Sequence, residues 1–411
     1  MPCDFPGQIN HEAATYAPPR QVDSQGKSRM TARRSSSPAE TALTYDTVGV
    51  SSSREEAALE QLGNWINQTF HFNAAKPLLP LGYFANVLQL SSDIGLAIST
   101  DGVGTKLLVA QALGKYDTVG IDCVAMNVND VLCVGATPAS MVDYIAVSTM
   151  DPGVLGEIAK GLHDGARLAG INIPGGEIAQ IRELLRESSD RRYSFDLVGT
   201  CIGTVHPQKL IVGRDIEPGD LIVGIESSGL HSNGFTLARR TLRLGEDNES
   251  GFLQYSSELG RTLGEELLTP TSIYVPEVLA TLKADIAVKG LIHITSDGLL
   301  NLQRVASETG YVIEAPLPPQ PIFAMIQQGG NVDEAEMFRV FNMGTGFCVI
   351  SAPDGATRVE QIVRGHNRRA SIIGYTVHDP ERRVWLPTHG LVGSNGAFRQ
   401  SRDRPPPLPS R

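Results

Sequence analysis

Leu96-Ala-Ile-Ser-Thr-Asp-Gly-Val-Gly-Thr-Lys-Leu-Leu-Val-Ala-Gln-Ala-Leu113 joins a short apolar run to a helix-period run through a turn holding two glycines. Leu96–Thr100 reads as a buried strand and Lys106–Leu113 as a helix, with Asp101-Gly-Val-Gly-Thr-Lys106 between them. Glycine lets a backbone approach phosphate oxygens closely, and an opening helix offers free N–H groups. Asp101, at the strand end, carries hard oxygens suited to magnesium, and Lys106 carries charge suited to phosphate. The spacing is neither that of a Walker A loop nor GxGxxG.

Outward from this stretch the same alternation continues. Cys123–Val134 has apolar residues at helical spacing, Tyr144–Val147 reads as a strand and Gly153–Ala169 as an amphipathic helix. Asp196–Val205 and Asp220–Ile225 read as strands, and Gly234–Leu244 and Val275–Leu282 as helices. The class is therefore α/β or α+β, which periodicity alone does not separate. His206–Asp220, with Pro207, Gly213, Pro218 and Gly219, is the expected domain boundary. This gives an N-terminal domain over 45–206 and a C-terminal one over 207–390. Residues 1–44, poor in large apolar side chains, read as a disordered leader without a secretory core, and 391–411 as a disordered tail.

With 411 residues, 41% hydrophobic and 19% charged, the chain is long enough for two cored domains. A net charge of −10 argues against nucleic acid as a partner. No apolar run approaches the ~20 residues that cross a bilayer, so no membrane partner is expected. Cys3, Cys123, Cys133, Cys201 and Cys348 are scattered without a CxxC pair. They read as free thiols of a reducing compartment, and no disulfide framework or zinc site is expected.

Candidate site residues follow from chemistry and spacing. Asp122 and Asn127-Val-Asn-Asp130 place oxygen-bearing side chains in an apolar, helix-period stretch, where lone carboxylates are costly. Asn127 and Asp130 share a helix face. Gly175-Gly-Glu177 sets a carboxylate beside permissive backbone. Ser227-Ser-Gly-Leu-His-Ser-Asn-Gly234 is a polar loop in which His231 is a candidate acid/base or phosphate ligand, beside Ser232 and Asn233. Thr295 and Asn342 sit in turn-type segments where a pocket or pure architecture is equally consistent. No nucleophile elbow of GxSxG type is present.

Taken in order, Tyr45-Asp-Thr-Val-Gly-Val50, Ser99–Lys106, Tyr116–Asp130, Gly175-Gly-Glu177, Ser228–Gly234, Leu268-Thr-Pro-Thr-Ser-Ile-Tyr274, His293-Ile-Thr295 and Glu336–Gly344 closely resemble the aminoimidazole ribonucleotide synthetase (phosphoribosylformylglycinamidine cyclo-ligase) family. The likeness covers roughly 45–380. Gly-Gly-Glu-Ile-Ala and Phe-Asn-Met-Gly-x-Gly-Phe make it closer to the archaeal-type branch. Leu79–Asn86, with one glycine, and Thr295-Ser-Asp-Gly298 depart from the usual glycine-rich wording.

The resemblance implies a two-domain α/β (α+β) fold. Its N-terminal, ATP-binding domain would form an intersubunit β-barrel in a homodimer, and its C-terminal α/β domain would be larger. It implies a cytoplasmic ligase of purine biosynthesis that uses ATP and Mg²⁺ to close formylglycinamidine ribonucleotide to aminoimidazole ribonucleotide. On that reading Asp101 and Asp130 hold the metal, and Asp101, Lys106 and His231 are catalytic. Gly102, Gly104, Thr105, Asp122, Asn127, Glu177, Ser232, Asn233, Thr295 and Asn342 then bind ATP or substrate. Selenophosphate synthetase, thiamine-monophosphate kinase, the hydrogenase-maturation protein that dehydrates a carbamoyl group, the amidotransferase acting one step earlier and a non-catalytic homologue are the alternatives. The first would need a reactive early cysteine, and Cys3 alone is early.

Overall fold

The computed structural model describes residues 42–49, 52–185, 193–245 and 247–408. Most of the leader and its Cys3 therefore lie outside the described residues. Helix α1 (Ser52–Ile66) precedes a five-stranded sheet of β1 (Asn86–Gln89), β2 (Gly95–Gly102), β3 (Thr137–Val147), β4 (Gly176–Gln180) and β5 (Phe195–Val205). The order is β1-β2-β5-β3-β4, antiparallel throughout except for the β3–β4 pair. That parallel pair needs a crossover, supplied by α4 (Pro152–Ala169). Asp151 caps α4 by accepting from Gly153 and Val154 N–H groups, and Gly170 ends it in a left-handed conformation.

Between β2 and β3 the chain forms α2 (Leu107–Leu113) and α3 (Val119–Leu132). Period-2 alternation turns Met141, Ile145 and Val147 of β3, with Leu197 and Cys201 of β5, into the core, where they join Val124 and Val128 of α3. Val142, Tyr144, Ile178 and Ile202 remain exposed. The α3–α4 contact is close because Gly120, Gly161 and Gly165 bring backbone against backbone; a Cβ at Gly120 would strike the main chain of Gly161 and Leu162.

The barrel implied by the family likeness is corrected here. The sheet is open: beyond β2, β1 carries only a single bridge from Leu88 to Pro77, β4 pairs with β3 alone, and no strand joins these two edges among the described residues. Five strands with four- and five-residue edges at opposite ends do not close on themselves.

The second sheet has eight strands. After β6 (Leu221–Glu226) and a small hairpin, β7 (Tyr255–Ser256) with β8 (Arg261–Thr262), come β9 (Val288–His293), β10 (Thr309–Ile313), β11 (Thr345–Ser351) and β12 (Ala370–His378). β13 (Val384–Leu386), β14 (Leu391–Ser394) and β15 (Ala397–Gln400) complete it. The order is β15-β14-β13-β10-β12-β6-β11-β9, with β10–β13 the parallel pair. β14 and β15 lie in the stretch read as a tail. They are held by a two-residue turn in which Asn395 and Gly396 both have positive φ (49° and 73°), the type I′ geometry that matches strand twist.

The two sheets are thus mixed, and the alternation in the sequence corresponds to α/β layers of both kinds. Cys123, Cys133, Cys201 and Cys348 are buried and free. No helix among the described residues is long and apolar enough to cross a membrane.

Candidate active site

The end of β2 is fixed from α3. Asn127 lies side-on to the strand like a partner strand: its Oδ1 accepts the Asp101 N–H (3.0 Å) and its Nδ2 donates to the Asp101 carbonyl (3.1 Å). A second Nδ2 bond, to Cys123 O (2.8 Å), locks the amide. The chain then turns through Gly104, whose φ of +70° is costly for any side chain, into the 3-10 turn Gly104–Lys106. Gly102 continues the strand, and Thr105 is exposed, its hydroxyl 3.2 Å from that of Thr236.

Asp101 and Asp130 are brought together at this point. Burial pushes the Asp101 carboxyl up to about 6, and the Asp130 charge adds to the rise. His293, Arg304 and the Gly102 N–H pull the other way. Asp130 Oδ1 accepts from His293 Nδ1 at 2.9 Å. His293 ends β9, so the carboxylate pair stands where α3 and β2 of the first sheet meet the second sheet.

The two partly buried carboxylates form a hard-oxygen pair, and the charged form of Asp101, disfavoured by burial and by Asp130, is one that a divalent cation would favour. No group of three or more His, Cys, Asp or Glu among the described residues has the arrangement of a metal cage.

Lys106, Asp122, His231 and Ser232 form a second group, which is sealed. Lys106 is fully buried and donates to Asp122 Oδ1 (2.9 Å), His231 O (3.1 Å) and Thr269 O (2.7 Å). All three ammonium hydrogens are engaged. Burial draws its pKa down, opposed by the Asp122 carboxylate. Asp122 Oδ1 also accepts from Thr271 N (2.7 Å), Thr271 Oγ1 (2.6 Å) and Ser232 Oγ (3.2 Å). These bonds fasten α3 to two loops of the second sheet. Lys106 as a phosphate ligand, the expectation from the sequence, therefore does not match its contacts.

His231 adopts φ +64° and is 1% exposed. Its Nε2 accepts the Ser228 N–H (3.2 Å), which leaves the proton on Nδ1, an atom without a hydrogen-bond partner. Burial holds the ring neutral, its pKa well below the usual value. The ring packs on β11: a side chain at Gly346 would strike both it and the Tyr274 hydroxyl.

The remaining residues are dispersed. Asn233 accepts from Ser296 Oγ (2.9 Å), beside Thr295. Asn342 is buried, donates to Gly229 O and accepts the Gly344 N–H, so it orders two turns. Glu177 is exposed on β4. It lies opposite Tyr144, which opposes Val198, which opposes Gly102. Three strand spacings, roughly 14 Å, separate it from the Asp101 turn. Glu177→Ala should accordingly change folding stability by less than about 0.5 kcal/mol, read from urea midpoints. A larger loss would mean that the carboxylate has a structural partner.

The sequence reading passed over His293, Asn129 and Thr271 as individual site residues. Asn129 Nδ2 donates to Ser272 O and its Oδ1 accepts from Tyr274 N, a second fastening of α3 to the same loop. The available signal for His293 was its place at a strand end before the Thr-Ser-Asp-Gly turn.

Comparison with known proteins bears on this geometry. The family description "AIR synthase related protein, N-terminal domain" matches residues 82–205, and "AIR synthase related protein, C-terminal domain" matches 217–386. A phosphoribosylformylglycinamidine cyclo-ligase of Thermococcus kodakarensis is 45% identical over 347 residues, 83% of this chain and 98% of that protein. One from Methanothermobacter thermautotrophicus is 44% identical over 316 residues, 76% of this chain and 88% of that protein. Among solved structures, AaThiL complexed with AMPPCP and TMP shares the fold at TM-score 0.54 and 14% identity, covering 79% of this chain and 92% of that one.

Proposed function

The chain belongs to the phosphoribosylformylglycinamidine cyclo-ligase family, with archaeal relatives prominent, and it is a ligase; from that premise we propose that it closes the imidazole ring of aminoimidazole ribonucleotide at the expense of ATP. In the proposed sequence the γ-phosphoryl group passes to the formyl oxygen of formylglycinamidine ribonucleotide, giving ADP and an iminophosphate. The amidine nitrogen then attacks the former formyl carbon, the carbon–oxygen bond breaks, and phosphate and a proton leave. Such a reaction asks the protein mainly for positioning and neutralisation of charge.

The observation that carries the reading is the Asp101–Asp130 pair at the junction of the two sheets. Asp101 and Asp130 would hold magnesium, which supplies positive charge for the phosphate oxygens. Asn127 orients Asp101 through its main chain, and His293 orients Asp130. Gly102 ends the strand beside Asp101, and Gly104 and Thr105 form the exposed turn after it, where backbone can approach phosphate closely. Lys106, Asp122, Ser232 and His231 enter as positioning residues, since their polar atoms face one another and the loops.

The test is a coupled assay with purified protein, ATP, magnesium and formylglycinamidine ribonucleotide, the aminoimidazole product being read by diazo coupling. Product from wild type is expected. Folded protein that binds ATP yet gives no product would overturn the cyclo-ligase reading.

A further inference from the structure

The Asp101–Asp130 pair needs cationic partners of its own if phosphate is to sit beside it, and the expected one is committed elsewhere. Lys106 has each of its hydrogens on an acceptor, and His231 is neutral. Arg304 is placed differently. It ends the 3-10 turn Gly298–Arg304, which follows β9, and its guanidinium carbon stands 4.8 Å over the ring of Phe84, which precedes β1. Its Nη1 donates to Asn301 Oδ1 (3.3 Å), and buried Asn301 is itself held by Ser296 O and Gly298 O.

An exposed arginine ordinarily keeps its rotamer freedom. Here both ends of the junction pin it, and no carboxylate among the described residues forms an ion pair with it. The residue under it leads to the acidic pair: the Ser99 hydroxyl lies 3.4 Å from Phe84 O and 3.5 Å from Asp130 Oδ2. A guanidinium presents a planar fork that fits phosphate oxygens in a way a lysine does not.

We infer that Arg304, stacked on Phe84 and anchored to Asn301, grips phosphate oxygens beside the Asp101–Asp130 pair, an assignment that rests on the cyclo-ligase reading. The oxygens belong either to the triphosphate of ATP or to the phosphate of the ribonucleotide, and kinetics separates the two.

Arg304→Met and Arg304→Lys are to be assayed with each substrate varied while the other is saturating. In the methionine variant, kcat/KM for one phosphate-bearing substrate is expected to fall roughly 100-fold. The lysine variant is expected to recover part of the loss. A fall seen with ATP assigns the triphosphate, and a fall seen with the ribonucleotide assigns its phosphate. Unchanged kinetic constants for both substrates, even with a lowered melting temperature, would make Arg304 a packing residue and overturn the inference.

Titration of ATP and of the ribonucleotide into wild type and Arg304→Met keeps the two readings apart. If wild type turns nothing over, the cyclo-ligase reading falls. Equal affinity of both proteins for each nucleotide then overturns the arginine as well, while weaker binding of one nucleotide by Arg304→Met sustains it.

Discussion

Alanine at Asp122 is expected to lower folding stability by about 3–5 kcal/mol. The reason lies in what remains after the side chain is gone. Lys106 stays at 0% exposure with two carbonyls and no counter-charge, while the Thr271 N–H and the Ser232 and Thr271 hydroxyls lose their shared acceptor. A buried charge without a partner costs more than the pair contributed, because desolvation of the lysine is no longer offset. Asp122 also joins α3 to loops of the second sheet, so the damage falls on the junction that holds Asp101 near His293.

Urea midpoints of Asp122→Ala, Lys106→Met and the double variant Lys106→Met/Asp122→Ala check this. The double variant should lose less than the sum of the singles, since it removes the orphaned charge. A loss below about 1 kcal/mol for Asp122→Ala would mean that water reaches Lys106 and that the network is not sealed.

This network also marks how far the sequence could be read. The strand–turn–helix at Leu96–Leu113 and the oxygen-rich helix at Asp122–Asp130 were legible because glycine placement and helical spacing are local signals. The fate of Lys106 was not. Two of its acceptors, His231 O and Thr269 O, lie 125 and 163 positions away in the chain, and nothing local distinguishes a lysine aimed at phosphate from one aimed at distant carbonyls.

His231 misled for a related reason. Its polar loop suggests exposure, yet the small Gly346 on β11 opens the space that swallows the ring. His293, in Leu291-Ile-His-Ile294, carries the opposite disguise: its neighbours are those of a core strand, and its use comes from meeting Asp130 across the sheet junction. The open sheet was beyond reach because strand partners, unlike strand periods, are set by tertiary packing. The Ser394-Asn-Gly-Ala397 hairpin, by contrast, carried a local turn signal in a stretch read as tail.

Asp101→Asn is expected to stabilise the metal-free protein at pH 8 while reducing turnover by roughly three orders of magnitude. The folded carboxyl titrates at about 6 against an ordinary 3.8, so the fold holds a proton over a range where the unfolded chain has released it. The native state therefore loses stability as pH rises through that window, by up to roughly 3 kcal/mol once Asp101 is fully ionised. Asparagine removes the charge and keeps an oxygen to accept the Gly102 N–H, which Asp101 Oδ1 now accepts at 2.7 Å.

Melting curves in EDTA should thus place the variant above wild type at pH 8 and bring the two together near pH 4. Equal stability at pH 8 would mean that Asp101 bears no such cost, and retained turnover would remove it from the catalytic centre. Both expected outcomes have one origin: the ionised carboxylate beside Asp130 is costly to the empty fold, and the same charge is what the site would offer to magnesium and phosphate.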